Sequence, residues 1–460
     1  MLAMMADIGS TFTKLTVVDL EREGIVATSQ APTTIEDITI GFQQAILQAE
    51  LSAPIAGGDV AFKSVCSSAA GGLRMVTVGL VPELTVEAAK RAALGAGAKV
   101  VGSFSHMLTE GDLQSITSLK PDILLLSGGT DGGNERSILH NTGMLAGSTI
   151  KVPVVVAGNR AVSTQLASTL RASGREVWLT ENVMPEVGVI NIGPAQAAIR
   201  EIFLKRIVVA KGLDKLEQTF AGVSMPTPSA VLEAAVLLAQ GVEGEPGWGD
   251  LVVVDVGGAT TDVHSVGLGQ PTKPGVLLRG LPEPFAKRTV EGDMGIRYNA
   301  PTILEIAGEK RLGEAIKEKI PDLVARVTTL SEHVDLIPRD DADSRLDIGL
   351  ARSAVEIAID RHVGTLQIAF TPFGEMAVQN GKDLTEVGHV IGTGGIFAYS
   401  AYAREILEGA LFDEQNPLSL RPRKPSLMVD KEYAMAAMGL LAAEQPAIAL
   451  RLLKKGMVPA

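Results

Sequence analysis

The sequence predicts a layered α/β fold built from two copies of one unit. Of its 460 residues only 4% are aromatic, whereas 46% are apolar and 49 are glycine. A core of Ala, Val, Leu and Ile with many tight turns is typical of layered α/β proteins. A prior of about 150 residues per domain also predicts two to four units. The third observation is a pattern of strand, Asp, Gly, Ser/Thr cluster and strand that occurs twice.

The clearer copy of this pattern covers residues 251–263. Four apolar residues predict a buried strand, which runs into Asp255, two glycines and three small or hydroxylated residues before the strand pattern resumes. That order predicts a tight hairpin whose backbone N–H groups and hydroxyls point outward. Residues 4–18 repeat the order around Asp7. Two copies in the same order indicate a duplicated unit.

Both hairpins have the chemistry of a polyphosphate site. Glycines let the backbone approach a ligand, amides and hydroxyls donate to phosphate oxygens, and an Asp at a strand end can hold a hydrated Mg2+. A single hairpin of this kind is more often a plain turn, but the second copy favours phosphate binding. The candidate metal ligands are Asp7 and Asp255. The candidate phosphate-binding residues are Gly9, Ser10, Thr11, Thr13, Lys14, Gly257, Gly258, Ala259, Thr260 and Thr261.

Two further glycine-rich segments are candidate loops. Residues 387–397 predict a strand that ends in Gly392-Thr393-Gly394-Gly395 and opens a helix, which is where open α/β sheets bind ligands. These glycines would let a flat base or sugar lie against the backbone, although a plain turn is the alternative. Residues 127–134 have a similar composition without a hairpin around them, and the prediction there is a turn of special backbone geometry.

Local patterns predict the remaining elements. The strand at residues 63–66 enters a small-residue loop, and a βαβ rhythm follows it. The first predicted helix covers residues 37–51, and a second is capped by Thr85 and runs to Leu94. A third has Thr227 as its cap and Pro228 as its first residue and is closed by Gly241. The others are a helix capped by Asp293, one from Ala351 to about Phe370, and a small-residue helix at 433–440.

The best linker is the Gly- and Glu-rich run at residues 241–249. It divides the chain into a first half, residues 1–245, and a second half, residues 250–460. We expect an inserted α/β subdomain at about 106–190, because the first sheet has its strands by residue 102. A charged stretch at about 308–345 predicts an exposed helical insert.

Composition excludes several classes of function. The net charge of −12 argues against nucleic acid as the main ligand. A single cysteine, Cys66, allows no intramolecular disulfide, four-cysteine zinc site or iron–sulfur cluster, and it fits a reducing cytoplasm. None of the six histidines has the spacing of transition-metal ligands. Neither a signal peptide nor a membrane span is predicted.

The order of these motifs resembles the actin, sugar-kinase and heat-shock chaperone ATPase superfamily. Two Asp-Gly-Thr hairpins about 250 residues apart are followed by the Gly-Thr-Gly-Gly loop and the small-residue helix. The resemblance implies two ribonuclease H-like halves that hold Mg-ATP between them. By that resemblance 7–14 and 255–262 are the phosphate loops, 392–395 is the adenosine loop, and 433–440 is the hinge helix.

Four segments resemble a narrower family. They are residues 66–75, 96–101, 127–134 and 289–300. Together they are similar to the glutamate mutase accessory proteins, called MutL or GlmL and unrelated to the mismatch-repair protein of that name. The resemblance implies an ATP-driven reactivase, a chaperone whose partner is an adenosylcobalamin-dependent mutase.

The resulting hypothesis is that Asp7 and Asp255 hold Mg2+ through waters, while the hydroxyls and Lys14 contact the phosphates of ATP. Asp255 or Asp262 would position the attacking water. A small-molecule kinase and a filament-forming actin relative remain alternatives on the same fold. One cysteine argues against an activator of dehydratases that uses an iron–sulfur cluster. The client mutase, the need for a second subunit and homo-oligomer formation stay open.

Overall fold

The computed structural model describes residues 1–34, 37–52, 60–68, 73–210, 223–316, 321–371 and 374–460. The end of the small-residue loop predicted after residue 66, residues 69–72, lies outside these ranges. By its internal contacts the chain forms two compact units. Unit 1 contains Met1–Ala69, Lys211–Arg279 and Glu283–Ala460, and unit 2 contains Ala70–Ala210 and Gly280–Pro282.

The strands are numbered in chain order. They are β1 (Leu2–Ile8), β2 (Phe12–Asp19), β3 (Gly24–Pro32), β4 (Val60–Ser67), β5 (Arg74–Val78), β6 (Lys99–Phe104), β7 (Ile123–Leu126), β8 (Val154–Val156), β9 (Val177–Leu179), β10 (Val223–Pro226), β11 (Gly241–Val242), β12 (Glu245–Pro246), β13 (Leu251–Val256), β14 (Thr261–Val266), β15 (Leu277–Arg279), β16 (Ala286–Glu291), β17 (Thr365–Thr371), β18 (Gly374–Asn380), β19 (His389–Thr393), β20 (Ser426–Asp430) and β21 (Met457–Pro459).

The α-helices are numbered in the same way. They are α1 (Ile38–Ser52), α2 (Glu87–Gly95), α3 (Glu110–Leu119), α4 (Arg136–Gly147), α5 (Ser163–Ala172), α6 (Gly193–Ala210), α7 (Thr227–Gln240), α8 (Ala300–Ile316), α9 (Leu323–Glu332), α10 (Asp341–His362), α11 (Gly395–Tyr399), α12 (Ala403–Leu407), α13 (Met435–Leu441) and α14 (Pro446–Gly456). None of them, among the residues that the structure describes, is both long and apolar enough to cross a membrane.

The first sheet of unit 1 has the strand order β10-β4-β1-β2-β3. Strands β1, β2 and β3 form an antiparallel meander whose first hairpin is the one predicted around Asp7, and β4 runs parallel to β1. Helix α1 covers one face with Ile38, Phe42, Ala45 and Ala49, whose spacing places them on one side of the helix. In the first hairpin Asp7 lies opposite Lys14.

The second sheet of unit 1 repeats this arrangement in the order β16-β14-β13-β19-β20-β21. Strands β13, β14 and β16 form an antiparallel meander, and β19 runs parallel to β13. Counted along the chain, the five main strands of each sheet are therefore ordered 3-2-1-4-5. This shared order confirms the predicted α/β fold with two ribonuclease H-like, actin-like halves.

A single apolar core joins the two sheets. It contains buried residues of β1 and β4 from the first sheet, of β13, β14 and β19 from the second, and of helices α7, α13 and α14. Within this core α13 packs closely against α7. A Cβ atom built on Gly439 would lie 1.9 Å from the backbone oxygen of Ala230. Only glycine lets the two helix backbones come this close.

Unit 2 contains a separate, fully parallel sheet in the order β6-β5-β7-β8-β9. An inserted α/β segment was expected at about 106–190, whereas this unit runs from Ala70 to Ala210. The difference arises because β5 and β6 pair with β7 and not with the first sheet of unit 1. Sequence patterns give the strands but not the sheet that each one joins.

Three local predictions were wrong. Thr85 does not cap a helix: its hydroxyl oxygen accepts hydrogen bonds from the backbone N–H groups of Leu80 and Val81, and α2 starts later. Asp293 lies in a turn, and the next helix, α8, begins only at Ala300. Helix α10 ends at His362, so Phe370 belongs to β17 and to the small sheet β15-β18-β17.

Candidate functional site

The two Asp hairpins line one cavity of about 620 Å3 within unit 1. This volume lies in the range of small-molecule and cofactor sites. Helix α7, the loop after β19 and the segment before α13 also line it. Of the predicted site residues, those on the cavity wall are Asp7, Gly9, Ser10, Thr11, Lys14, Asp255, Gly257, Gly258, Ala259, Thr260, Asp262, Thr393 and Gly395.

Four predicted site residues do not line the cavity. The hydroxyl of Thr13 is hydrogen-bonded to that of Thr33, and the Thr261 hydroxyl donates to the backbone oxygen of Met294. A Cβ atom on Gly392 would meet the Phe397 ring at 2.6 Å, so this glycine allows ring packing. Gly394 has a φ of +110° and lies against the backbone of β13. These four residues stabilise the loops through contacts on the side that faces away from the cavity.

Both carboxylate oxygens of Asp7 are engaged. Oδ1 accepts a hydrogen bond from the Thr227 hydroxyl at 2.6 Å, with the Cys66 thiol at 3.6 Å. Oδ2 accepts one from the Lys14 ammonium at 3.0 Å. The predicted role of Thr227 as a helix cap is wrong, because Pro226 precedes the first turn and Thr227 is its first residue. Its hydroxyl instead ties α7 to the first hairpin.

Lys14 lies between Asp7 and an aromatic ring. Its ammonium is 3.6 Å from the centroid of the Tyr433 ring, and its side chain is 17% exposed. Burial raises the pKa of Tyr433 to about 12, so the hydroxyl stays protonated at neutral pH. A cation over a neutral ring is stabilised by the ring quadrupole. Lys14 is thus held by one charged and one aromatic contact.

Asp255 differs from Asp7 although the two occupy matching positions in their hairpins. Its carboxylate accepts no hydrogen bond from any residue that the structure describes. Burial raises the pKa of Asp255 to about 7; the charge of Asp262 adds to this and that of Lys14 opposes it. A nearby cation therefore stabilises the ionised form of this buried carboxylate more than it would stabilise a solvated carboxylate.

Asp262 is already neutralised. It lies opposite Asp255 in the second hairpin, at the place that Lys14 takes in the first. The Arg288 guanidinium contacts its Oδ1 at 2.6 Å, and the Thr260 hydroxyl donates to its Oδ2 at 3.1 Å. Removing one partner of such a buried pair is costly. The geometry therefore suits Asp262 to holding the loop.

The segment 289–300 stabilises the turn of the second hairpin by hydrogen bonds. It is one of the four segments that carried the family resemblance. The backbone N–H of Ile296 donates to Gly257, and those of Arg297 and Tyr298 donate to Gly258. Asn299 Nδ2 donates to the backbone oxygen of Ala259 at 2.7 Å. The carbonyls of Gly257, Gly258 and Ala259 are thereby occupied, and the Gly257 N–H donates to the backbone oxygen of Thr260. A ligand at this candidate phosphate loop would therefore be bound by its other N–H groups.

Gly295→Ala tests this support. A Cβ atom at this position would lie 2.2 Å from the backbone carbon of Ala259, so the phosphate loop must shift. We expect a loss of about 1–3 kcal/mol in the free energy of unfolding, together with weaker nucleotide binding. Thermal melts and nucleotide titrations measure both effects. Gly313→Ala is the control, because nothing lies within 4 Å of its Cβ position. Equal nucleotide affinity in the two variants would contradict the assigned support.

The far wall of the cavity comes from the second half. Residues 334–338 and the start of α10 line it. Arg297 makes a two-pronged ion pair with Asp347 at 2.8 and 2.7 Å and also donates to the backbone oxygen of Leu336. This pairing fixes the 334–338 segment against the phosphate-loop support. A ligand that reaches from the hairpins towards α10 would contact this wall.

The carboxylates of the cavity fit a hydrated Mg2+. Carboxylate oxygens are the ligands that this ion prefers, and it usually keeps several waters and binds one or two carboxylates plus phosphates. Among the described residues no group of three or more His, Cys, Asp or Glu side chains could hold a metal ion. One or two carboxylates are enough for a hydrated Mg2+ that also binds phosphates. Asp255 meets this requirement, and Asp7 meets it if Lys14 moves.

Comparison with known proteins identifies the family. The model of the MutL protein family matches residues 3–457. A second match is the protein MutL of Clostridium tetanomorphum, which is 48% identical over 458 residues and covers 99% of each chain. The chain belongs to the MutL protein family.

Solved structures with similar folds are much more distant. A nucleotide-free acetone carboxylase is 12% identical with a TM-score of 0.42, covering 96% of this chain and 70% of that one. A glycerol dehydratase reactivase is 10% identical with a TM-score of 0.34, covering 96% and 100%. The activator of 2-hydroxyisocaproyl-CoA dehydratase from Clostridium difficile is 10% identical with a TM-score of 0.33, covering 99% and 96%.

In this MutL family member the 127–134 loop has the special turn geometry that its composition predicted. Gly128 and Gly129 have φ values of +134° and +71°. Asn159 accepts from the backbone N–H of Gly132, and Asn182 donates to Asp131 and to the backbone oxygen of Gly129. The polar groups of the loop are largely satisfied internally, and none of its residues lines the cavity.

Sequence reasoning missed three contributors to the site. Thr227 contacts Asp7 across 220 residues of chain, and Tyr433 contacts Lys14 from the C-terminal region. Asp430 accepts from the Thr393 hydroxyl at 2.9 Å and from the backbone N–H groups of Ala434 and Met435, so it joins the adenosine-loop candidate to α13. The only local signal was the position of Asp430 just before a predicted helix.

Proposed function

We propose that this protein is an ATP-dependent reactivating chaperone for an adenosylcobalamin-dependent mutase, of the glutamate mutase or aminomutase type, and that it promotes release of damaged cobalamin. The observation that carries the nucleotide part is the convergence of two Gly- and hydroxyl-rich Asp hairpins on one cavity. Membership of the MutL family supports the mutase as client. ATP, Mg2+ and a cytoplasmic location belong to the same proposal.

Each part of the cavity has a role in this proposal. Asp255 and Asp7 would hold a hydrated Mg2+ through its waters, and the ion would neutralise charge on the phosphates. The backbone N–H groups and hydroxyls of Ser10 and Thr11, together with the backbone N–H of Thr260, donate to phosphate oxygens, and Lys14 supplies a positive charge. Asp255 also orients the attacking water, while Asp262 holds the loop through Arg288. The nucleoside lies towards Thr393, Gly395 and the 334–338 segment.

A conformational change would act on the mutase, and it would start at the cavity between the two sheets. A nucleotide that contacts both hairpins favours the arrangement in which both reach it, and its hydrolysis removes that preference. The helices α7 and α13 connect the sheets through one apolar core, so they are the elements that carry the change. The mutase complex would be opened by this change, and damaged cobalamin would leave.

Recovery of mutase activity tests the proposal. Glutamate mutase or an aminomutase is inactivated by turnover, then incubated with this protein, fresh adenosylcobalamin and Mg-ATP or Mg-ADP. We expect activity to return with ATP and not with ADP. Hydrolysis of ATP without recovery would count against the proposal, and transfer of phosphate to an added small molecule would favour a kinase on the same fold.

The pKa of Asp255 predicts the pH dependence of metal binding. Burial raises this pKa to about 7, and metal binding needs the ionised carboxylate. We therefore expect the affinity for Mg2+ with nucleotide to fall as pH drops below about 7, by at most about tenfold per pH unit. The folded protein holds this proton more tightly than the unfolded chain, so the contribution of Asp255 to stability falls as pH rises from about 4 to about 7.

Calorimetric titrations in two buffers of different ionisation enthalpy measure the protons released. At pH 6 the protein itself should release close to one proton per metal bound, and at pH 8.5 almost none. Asp255→Asn provides the baseline, because it removes this proton and leaves those of the nucleotide. A proton count that is the same in the variant and the parent at pH 6 would contradict the prediction.

A further inference from the structure

Lys14 holds the carboxylate oxygen that a metal ion on Asp7 would need. Asp7 Oδ1 is held by the Thr227 hydroxyl at 2.6 Å. Oδ2 is the remaining oxygen, and the Lys14 ammonium contacts it at 3.0 Å. A divalent cation held on that oxygen, directly or through one water, would lie close to the ammonium, and the two positive charges would repel each other.

A second contact holds Lys14 in this position. Its ammonium lies 3.6 Å from the centroid of the Tyr433 ring, which is contributed by the segment just before α13. Tyr433 itself has a φ of +50°, a left-handed conformation that is uncommon for a residue other than glycine. The ring lies over the ammonium while Lys14 pairs with Asp7, and its quadrupole stabilises the cation in this position.

The second hairpin has no such cation. Asp255 lies opposite Asp262 where Asp7 lies opposite Lys14. The charge of Asp262 is taken by Arg288, and Asp255 has no hydrogen-bond donor among the described residues. The two carboxylates that could share a metal ion are therefore unequal: Asp255 is available, and Asp7 becomes available only if Lys14 moves.

We propose that Lys14 and the divalent metal are alternatives on Asp7, so that metal binds well only together with a phosphate group that receives the displaced ammonium. The inference rests on the proposed nucleotide site and adds a coupling between its two ligands. Free metal must displace Lys14 from Asp7 and Tyr433 without compensation. A metal–nucleotide complex supplies phosphate oxygens for the ammonium, and linkage makes the resulting cooperativity reciprocal.

Binding of Mn2+ with and without ADP tests this coupling. Free Mn2+ is measured by electron paramagnetic resonance, and the coupling factor is the ratio of the two dissociation constants. For Lys14→Met we expect Mn2+ alone to bind about tenfold more tightly and Mn-ADP to bind about tenfold more weakly, since a charge next to the metal is removed. Lys454→Met is the matched control, because Lys454 pairs with Glu245 outside the cavity.

Variants of Tyr433 test the same point with both charges in place. Tyr433→Phe keeps the ring face, so its coupling factor should match that of the parent within about twofold. Tyr433→Leu removes the ring and should tighten binding of Mn2+ alone while leaving Lys14 able to reach phosphate. This pair keeps the test decisive if Lys14→Met does not fold.

The outcomes separate the two proposals. If the parent protein binds neither ADP nor ATP with Mn2+, the proposed function is wrong and this inference falls with it. If the parent binds Mn-ADP normally, and Lys14→Met or Tyr433→Leu leaves the binding of Mn2+ alone unchanged or weaker, only the competition between Lys14 and metal is overturned.

Discussion

Asp255→Asn is expected to lower the rate of ATP hydrolysis by at least about 100-fold, because groups that hold metal and orient charge in a closed site supply some of the largest effects in phosphoryl transfer. Asp255 is a cavity carboxylate that accepts no hydrogen bond from the described residues, and it lies at the end of β13 beside the glycine turn of the second hairpin. An amide keeps the shape of the side chain and removes the charge. Phosphate release under saturating Mg-ATP measures the effect.

The same variant should be more stable than the parent protein above pH 7. Burial raises the pKa of Asp255 to about 7, so the ionised form carries a cost of burial that the amide avoids. Loss of activity with a gain of a few degrees in melting temperature would be the signature of a functional carboxylate. Asp322→Asn, at an exposed turn before α9, is the control and should change neither quantity. An Asp255→Asn protein that hydrolyses ATP at the parent rate would refute the assigned role.

Gly439→Ala is expected to have the largest effect on stability. Its Cβ atom would lie 1.9 Å from the backbone oxygen of Ala230 and 2.6 Å from the carbon of the same carbonyl group. Backbone cannot yield as a flexible side chain does, so α13 must move away from α7. We expect a loss of about 3 kcal/mol in the free energy of unfolding, at the upper end of the usual cost of overpacking. Denaturant titration of the purified variant gives this value.

We expect Gly439→Ala to lose more nucleotide affinity than its lower stability alone explains, because α7 carries Thr227 and α13 follows Tyr433. Both side chains contact the Asp7–Lys14 pair. A displaced α13 would therefore weaken nucleotide binding in the fraction of protein that remains folded. Gly313→Ala, at a half-buried position of α8 with no atom near its Cβ position, should instead be neutral or stabilising by up to about 1 kcal/mol. Comparable melting curves for the two variants would argue against close packing of α7 and α13.

Much of the architecture of the candidate site follows from short-range patterns. An alternating or continuous apolar run that ends in Asp and Gly predicts a strand and a hairpin from neighbouring residues alone, and both Asp hairpins form as predicted. The repeat of that pattern predicts duplication, which the matching strand orders confirm. The strand that ends at Thr393 and the helix that follows it likewise depend on adjacent residues.

Contacts between distant parts of the chain left no such signal. The Thr227 hydroxyl could not be assigned to Asp7 from sequence, because Thr-Pro at a helix start has an ordinary local explanation. Lys14 was predicted to contact phosphate, and its pairing with Asp7 and Tyr433 depends on a residue more than 400 positions away. Strands β5 and β6 have the same pattern whichever sheet they join, which explains the later start expected for the inserted segment.

The most direct test of the central proposal is release of tightly bound cyanocobalamin from purified glutamate mutase or ornithine aminomutase. The enzyme is incubated with this protein and Mg-ATP, with Mg-ADP, or with the Asp255→Asn variant and Mg-ATP, and free cobalamin is measured by absorbance after separation. The proposal predicts release that requires ATP and is absent with the variant. Retention of cobalamin under conditions in which this protein binds and hydrolyses ATP would contradict the proposed action on these mutases.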